Sequence, residues 1–140
     1  MSDLSNKPTY INPEGASMAQ GQYAHVTKVN SGPLYFIAGQ LPVDEQGEII
    51  GVGEFEAQFH QVFKNLKAIL DGLGIGHENI VRFNTMLVDE DHIDLFMKLR
   101  AEYFPTIFEG LYPPNTLTIV KRLVKEEFLL EVEAIAVADD

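Results

Sequence analysis

The run Phe128-Leu-Leu-Glu-Val-Glu-Ala-Ile-Ala-Val137 constrains this chain more than any other stretch. It is aliphatic and free of glycine and proline, so it reads as one long β-strand. Successive strand residues point to opposite faces. One face then carries Phe128, Leu130, Val132, Ala134 and Ala136, all apolar, and belongs in a core. The other carries Leu129, Glu131, Glu133, Ile135 and Val137, so two carboxylates stand among aliphatic side chains. Solvated faces rarely have that mixture; a subunit contact or a cleft does. Upstream, Pro113 to Leu123 holds a second β-type run, and the short charged stretch Val124-Lys-Glu-Glu127 predicts a closing hairpin.

The rest of the chain supplies partners for that strand. Tyr23 to Val29 and Leu34 to Gln40 read as strands around the turn Asn30-Ser-Gly-Pro33, predicting a first hairpin. The second of them is almost continuously apolar, which predicts burial on both faces. Asp44 to Gly53 is a polar loop. From Glu54 the period turns helical, with Phe55, Phe59, Val62, Phe63, Leu66, Ile69, Leu70 and Leu73 on one stripe, ending at Gly72 to Gly76. Asn79 to Asp89 alternates Val81, Phe83, Thr85 and Leu87 against Arg82, Asn84 and Met86, as a strand does. Asp91 is placed to cap a second helix, with Ile93, Phe96, Leu99 and Tyr103 inward, stopping before Pro105.

The order β-β-α-β-α-β-β predicts an α+β fold in a single domain over residues 1–140, with 1–9 poorly ordered. Two helices cover only one face of a sheet. The uncovered face keeps Leu129, Ile135 and Val137, and its simplest cover is other copies of the chain.

Composition narrows the functional classes. There is no cysteine, which excludes disulfides, thiolate catalysis and cysteine-bound metal. Ten basic against 21 acidic residues leave a formal charge of −11, which disfavours binding to nucleic-acid phosphates. His25, His60, His77 and His92 have no metal-ligand spacing, no nucleophile-elbow pattern occurs, and Gly72-Leu-Gly-Ile-Gly76 follows a helix rather than opening one. No metal and no cofactor are expected. No apolar run approaches membrane-spanning length and the N-terminus lacks an apolar core, so a cytoplasmic protein without membrane contact is expected.

Several segments together carry a resemblance. Glu131-Val-Glu-Ala-Ile-Ala-Val137, Val120-Lys-Arg-Leu123 and Pro113-Pro-Asn-Thr116 resemble the C-terminal signature of the RidA (YjgF) family, also described as L-PSP endoribonucleases. Tyr10-Ile-Asn-Pro-Glu-Gly15, Gln20-Gly-Gln-Tyr23, Gly39-Gln-Leu-Pro-Val43 and the helix around Asn65 resemble further family segments, in order from Asn12 to Val137. The resemblance implies a chorismate-mutase-like fold, a mixed sheet with two helices on one face, and a homotrimer with clefts between subunits. It implies cofactor-free hydrolysis of reactive imines and enamines, or a deaminase-type activity, in those clefts. A non-catalytic sensor of small ligands on the same trimer is the alternative, and an endoribonuclease or translation inhibitor is the reading that the charge argues against.

The resemblance also assigns roles. Glu131 falls where the family's glutamate positions the attacking water, and an acid on a partly apolar face has the raised pKa that proton transfer near neutrality needs. Its plain alternative is a salt-bridged interface glutamate; Glu133 is assigned a structural role. Tyr23 matches a cleft tyrosine, Gly39 a backbone contact, and Thr116 a hydroxyl beside Asn115; each has a purely structural alternative. Two departures stand out: Gln22 replaces a proline, and Asn115 replaces the arginine that deaminating members use to hold a substrate carboxylate. Asparagine cannot form that bidentate pair, a loss of about 1.5–3 kcal/mol, or about ten- to a hundredfold in affinity. Arg100 is the candidate substitute if its guanidinium reaches the cleft, and a solvated helix arginine otherwise. Arg122 is assigned a structural role.

Overall fold

The computed structural model describes residues 7–139. A two-stranded sheet joins β1 (Thr9–Ile11) to β2 (Val26–Lys28), and a four-stranded sheet is built from β3 (Leu34–Gln40), β4 (Ile80–Leu87), β5 (Asn115–Ile119) and β6 (Leu130–Val137). Helices α1 (Phe55–Leu73) and α2 (Ile93–Tyr103) complete the α+β fold expected from the element order. The large sheet runs β3-β6-β4-β5, with β6 antiparallel to both neighbours and β5 parallel to β4.

Both expected hairpins are absent. β2 pairs with β1, not with β3, and β5 pairs with β4, not with β6. The second difference has a clear cause. β4, α2 and β5 form a strand–helix–strand unit, which brings β5 alongside β4 in parallel. β6 then takes the other edge of β4, and residues 120–129 become a crossing loop. The first difference follows from docking: Tyr10 Oη donates to the Ile80 carbonyl at 2.7 Å and Thr27 Oγ1 to that of Val81 at 2.6 Å, anchoring the small sheet at the start of β4.

α1 buries Phe55, Phe59, Val62, Phe63, Leu66 and Leu70 against the sheet, as its periodicity requires. It ends on Gly74, whose φ of 74° is the left-handed cap that glycine adopts without strain. The rings of Phe59, Phe63, Phe83, Phe96 and Phe104 meet at centroid distances of 4.7 to 5.9 Å and form the centre of the core. Each contributes about 1.5–3 kcal/mol by burial. α2 is preceded by a 3-10 turn, Glu90–His92, and the capping acid is Asp89, which accepts from the Asp91 amide at 2.8 Å, rather than Asp91 itself.

β3 departs from its expected double burial. Leu34 is 46% and Phe36 76% exposed, because β3 is an edge strand and the helices cover only one side of the sheet. Residues 1–6 of the segment expected to be poorly ordered lie outside the described residues. Lys7, by contrast, is buried, donating to Asn79 Oδ1 at 3.0 Å and pairing with Asp139 at 2.6 Å, which ties the two ends of the chain together.

Candidate functional site

The open face of the sheet is the first candidate. Register places Glu131 opposite Met86 and Glu133 opposite Asn84, so the two acids share this face as their spacing requires. Thr116 lies beside Asn84 on the β5 side, and Phe36 opposite Ile135 on the β3 side. Asn84 Nδ2 donates to Glu133 Oε1 at 2.9 Å, which fits the structural role expected of Glu133. A depression of about 140 Å³ lies here, lined by Phe36, Arg82, Asn84, Glu133 and Ile135 among others.

Glu131 is held differently. Between Ile37 and Gln40 the β3/β6 register shifts, a bulge that includes Gly39. The Glu131 side chain lies across this glycine: a Cβ added at Gly39 would stand 2.6 Å from its carboxyl carbon and 2.8 Å from its Cγ. Gly39 has no positive φ, so close approach is what calls for glycine here. Partial burial, then the neighbouring charge of Glu133, raise the Glu131 pKa above the ordinary 4.5. No basic side chain among the described residues pairs with it. A half-buried carboxylate with a raised pKa and no salt bridge is equipped to take a proton from water.

The other candidates lie elsewhere in the same chain. Asn115 pairs with Phe83 and so belongs to the helix-covered side of the sheet, where its Oδ1 accepts from the buried Thr85 hydroxyl at 2.8 Å. Thr116, the next residue, is exposed on the open face. Tyr23 is half-buried; its hydroxyl accepts from the Gln20 amide at 3.0 Å and its ring meets His25 edge-on at 5.8 Å. Nearby, the Ala24 amide donates to the Tyr112 carbonyl at 2.9 Å, binding this segment to the approach of β5. Arg100 is 2% exposed, which overturns its reading as a solvated helix arginine. Arg122 donates to the carbonyls of Leu123 and Val124, in keeping with its structural role. No hydrogen bond or ion pair among the described residues joins Glu131 to Tyr23, Asn115, Thr116 or Arg100; Thr116 shares the open face with Glu131, and Asn115 lies on the opposite side of the sheet.

Sequence reasoning missed the polar residues that shape the face from behind. Gln58, fully buried in the α1 stripe, donates to the carbonyls of Gly51 and Glu127 and accepts from the Leu129 amide, fixing the start of β6. Its position inside an otherwise apolar stripe was the available signal. Asn65, quoted only for the resemblance, donates to the carbonyls of Leu41 and Val43 at 2.9 Å and secures the exit of β3. Among the described residues no group of His, Asp and Glu is placed to hold a metal ion, and no helix is long and apolar enough to cross a membrane.

Comparison with known proteins bears on this arrangement. The family model described as endoribonuclease L-PSP matches residues 14–138. A RutC family protein of Pyrococcus horikoshii is 32% identical over 124 residues, covering 88% of this chain and 92% of that protein. The 3-aminoacrylate deaminase RutC of Acinetobacter baylyi is 28% identical over 126 residues, covering 90% and 94%. The crystal structure of the conserved Rid family protein YyfB of Yersinia pestis superposes with a TM-score of 0.83 at 30% identity, covering 94% of this chain and 99% of that one. These matches lead to one assignment: the chain belongs to the RidA/YjgF family.

Proposed function

We propose that this protein binds a small carbonyl, imine or enamine metabolite between subunits of a homotrimer and hydrolyses its C–N bond. The observation that carries the reading is Glu131, an unpaired, half-buried carboxylate of raised pKa seated over Gly39 on a face that still exposes Phe36. A deaminase among the relatives supports the reaction class. The exposed apolar side chains of β3 support closure of that face by other copies, and the reading places Tyr23 of a neighbouring copy in the cleft with Glu131.

In this reading the Glu131 carboxylate takes a proton from a water as its oxygen bonds to the imine carbon and the C=N π electrons move to nitrogen. Glu131 passes that proton to the nitrogen, which gives a neutral carbinolamine. Glu131 then takes the hydroxyl proton of the carbinolamine and delivers it to nitrogen as the C–N bond breaks, releasing ammonia and leaving a carbonyl compound. An enamine enters the same sequence once its N–H proton has moved to carbon. No other reactant is consumed.

A second reading, ligand sensing without turnover, is favoured by Asn115, whose side-chain oxygen accepts from Thr85 and which supplies no charge. A ribonuclease is disfavoured by the charge of −11. The deciding experiment is hydrolysis of a 2-imino acid generated in situ by wild type, Glu131→Gln and Asn115→Arg. Turnover that Glu131→Gln abolishes while the variant keeps its fold and mass is the expected result. A wild type that binds ligands with no turnover under any condition leaves sensing as the function.

A further inference from the structure

A cavity of about 590 Å³ opens between β1, the turn at Glu78 and the loop that leads into β5. Volumes of that size hold small organic ligands. The cavity lies at the far end of β4 from the Glu131 group. Tyr10, in its wall, donates to the carbonyl of Ile80, the first residue of β4, and Glu131 stands opposite Met86, six residues along the strand. At about 3.3 Å per residue the two places are about 20 Å apart. None of Tyr23, Gly39, Arg100, Asn115, Thr116 and Glu131 lines the cavity.

Its lining has an apolar part and an acidic part. Phe108 is buried, Tyr10 meets it edge-on at 6.3 Å, and Ile107 and the exposed Leu111 extend the apolar surface. The Tyr10 hydroxyl is committed to Ile80, and burial, then the charge of Glu78, push this phenol up, so what Tyr10 offers a ligand is its ring. Glu78 and Glu109 also line the cavity, and both are exposed. Glu109 enters no ion pair among the described residues, and Glu78 has only a 3.8 Å approach to Lys7. Lys7 is the one cation in the lining, and its buried ammonium is committed to Asp139 at 2.6 Å and Asn79 at 3.0 Å. His77, whose ring meets Phe108 at 6.0 Å, is held toward its neutral form by burial. One neutralised cation thus faces two solvent-facing carboxylates, in a chain of formal charge −11. Such a cavity repels anions and draws cations in, and its aromatic rings add to the attraction.

We infer that this cavity is a binding site for a small organic cation, an amine that carries an aromatic or branched apolar body. The body packs on Tyr10, Phe108 and Leu111, and the ammonium lies with Glu78 and Glu109. A neutral ligand of the same shape forfeits the second contact, and a bare ammonium forfeits the first. The site is independent of the proposed hydrolysis, since it uses no residue of the Glu131 face.

The test uses the full-length protein labelled with ¹³C at its leucine and isoleucine methyls. It is titrated at neutral pH and constant ionic strength with phenethylammonium, 2-phenylethanol, 3-phenylpropionate and methylammonium. The Leu111 and Ile107 methyl resonances, assigned by their loss in Leu111→Met and Ile107→Val, should shift saturably with phenethylammonium. 2-Phenylethanol should bind more weakly, and 3-phenylpropionate and methylammonium should leave the resonances in place. Glu78→Gln combined with Glu109→Gln should weaken phenethylammonium binding about five- to twentyfold, since each exposed carboxylate contributes up to about fivefold. Without ligand this variant should melt like wild type. Equal affinity for 2-phenylethanol overturns the cation assignment. Shifts with methylammonium as large as those with phenethylammonium reduce the site to surface charge and overturn it, as does the absence of any saturable shift. Resonances that respond to dilution, with a fall in mass, and not to phenethylammonium make the cavity a contact between copies instead. Glu131→Gln should bind phenethylammonium as wild type does; a loss there puts the cation on the Glu131 face and overturns the cavity as its site.

Discussion

Replacing Gly39 by alanine separates the position of Glu131 from the stability of the fold. Gly39 has no positive φ, so the backbone accepts alanine, and the restriction of the unfolded chain stabilises by about 0.4–1 kcal/mol. Against this, the new methyl would stand 2.6 Å from the Glu131 carboxyl carbon, where carbons pack at about 3.5–4.0 Å. The carboxyl must retreat by about 1 Å. It is the end of a flexible side chain, so the cost is that of an off-rotamer torsion, about 0.5–1.5 kcal/mol. The two terms nearly cancel, and the melting temperature should move by no more than about 3 °C. Activity should fall much further, since a displacement of about 1 Å at a reacting group costs about a hundredfold. A readout independent of activity is available in the titration of Glu131, followed by ¹³C carboxyl NMR. Its pKa is raised in the folded state, so its contribution to stability is complete below the unfolded value near 4.5 and is lost as pH rises through the folded value. In Gly39→Ala the carboxyl moves out toward water, its pKa returns toward 4.5, and that loss of stability between acid and neutral pH shrinks. A variant that melts like wild type, titrates like wild type at Glu131 and is equally active would refute the positioning role of Gly39.

Two further perturbations test the frame. Gln58→Leu keeps the volume but strands the carbonyls of Gly51 and Glu127 and the Leu129 amide, and should cost about 3 kcal/mol, read as a lower urea midpoint at unchanged slope. A midpoint within error of wild type would mean that water replaces all three bonds. Phe36→Ser should leave the isolated fold within about 0.5 kcal/mol of wild type, since Phe36 is 76% exposed, yet weaken self-association through the open face. Light scattering on dilution reads this directly, and an unchanged mass would place the subunit contact elsewhere.

The alternation of Phe128 to Val137 was enough to put Glu131 and Glu133 on one face and five apolar residues on the other, because strand periodicity is local. The stripe of α1 was legible for the same reason, and so was family membership, which rests on short motifs in order. Pairing was not. Nothing local distinguishes a tight Val124–Glu127 turn from a crossing loop; the α2 connection decides it by bringing β5 parallel to β4 and leaving β6 the opposite edge. The apolar run of β3 suggested double burial, but burial depends on what covers a strand, and in one chain nothing covers Phe36. Residue types and spacing determined which side chains can share a face. Only the tertiary structure decided which backbone they meet there: it set Glu131 over Gly39 and Arg100 under Gly21, contacts across 92 and 79 residues of chain that no local pattern encodes.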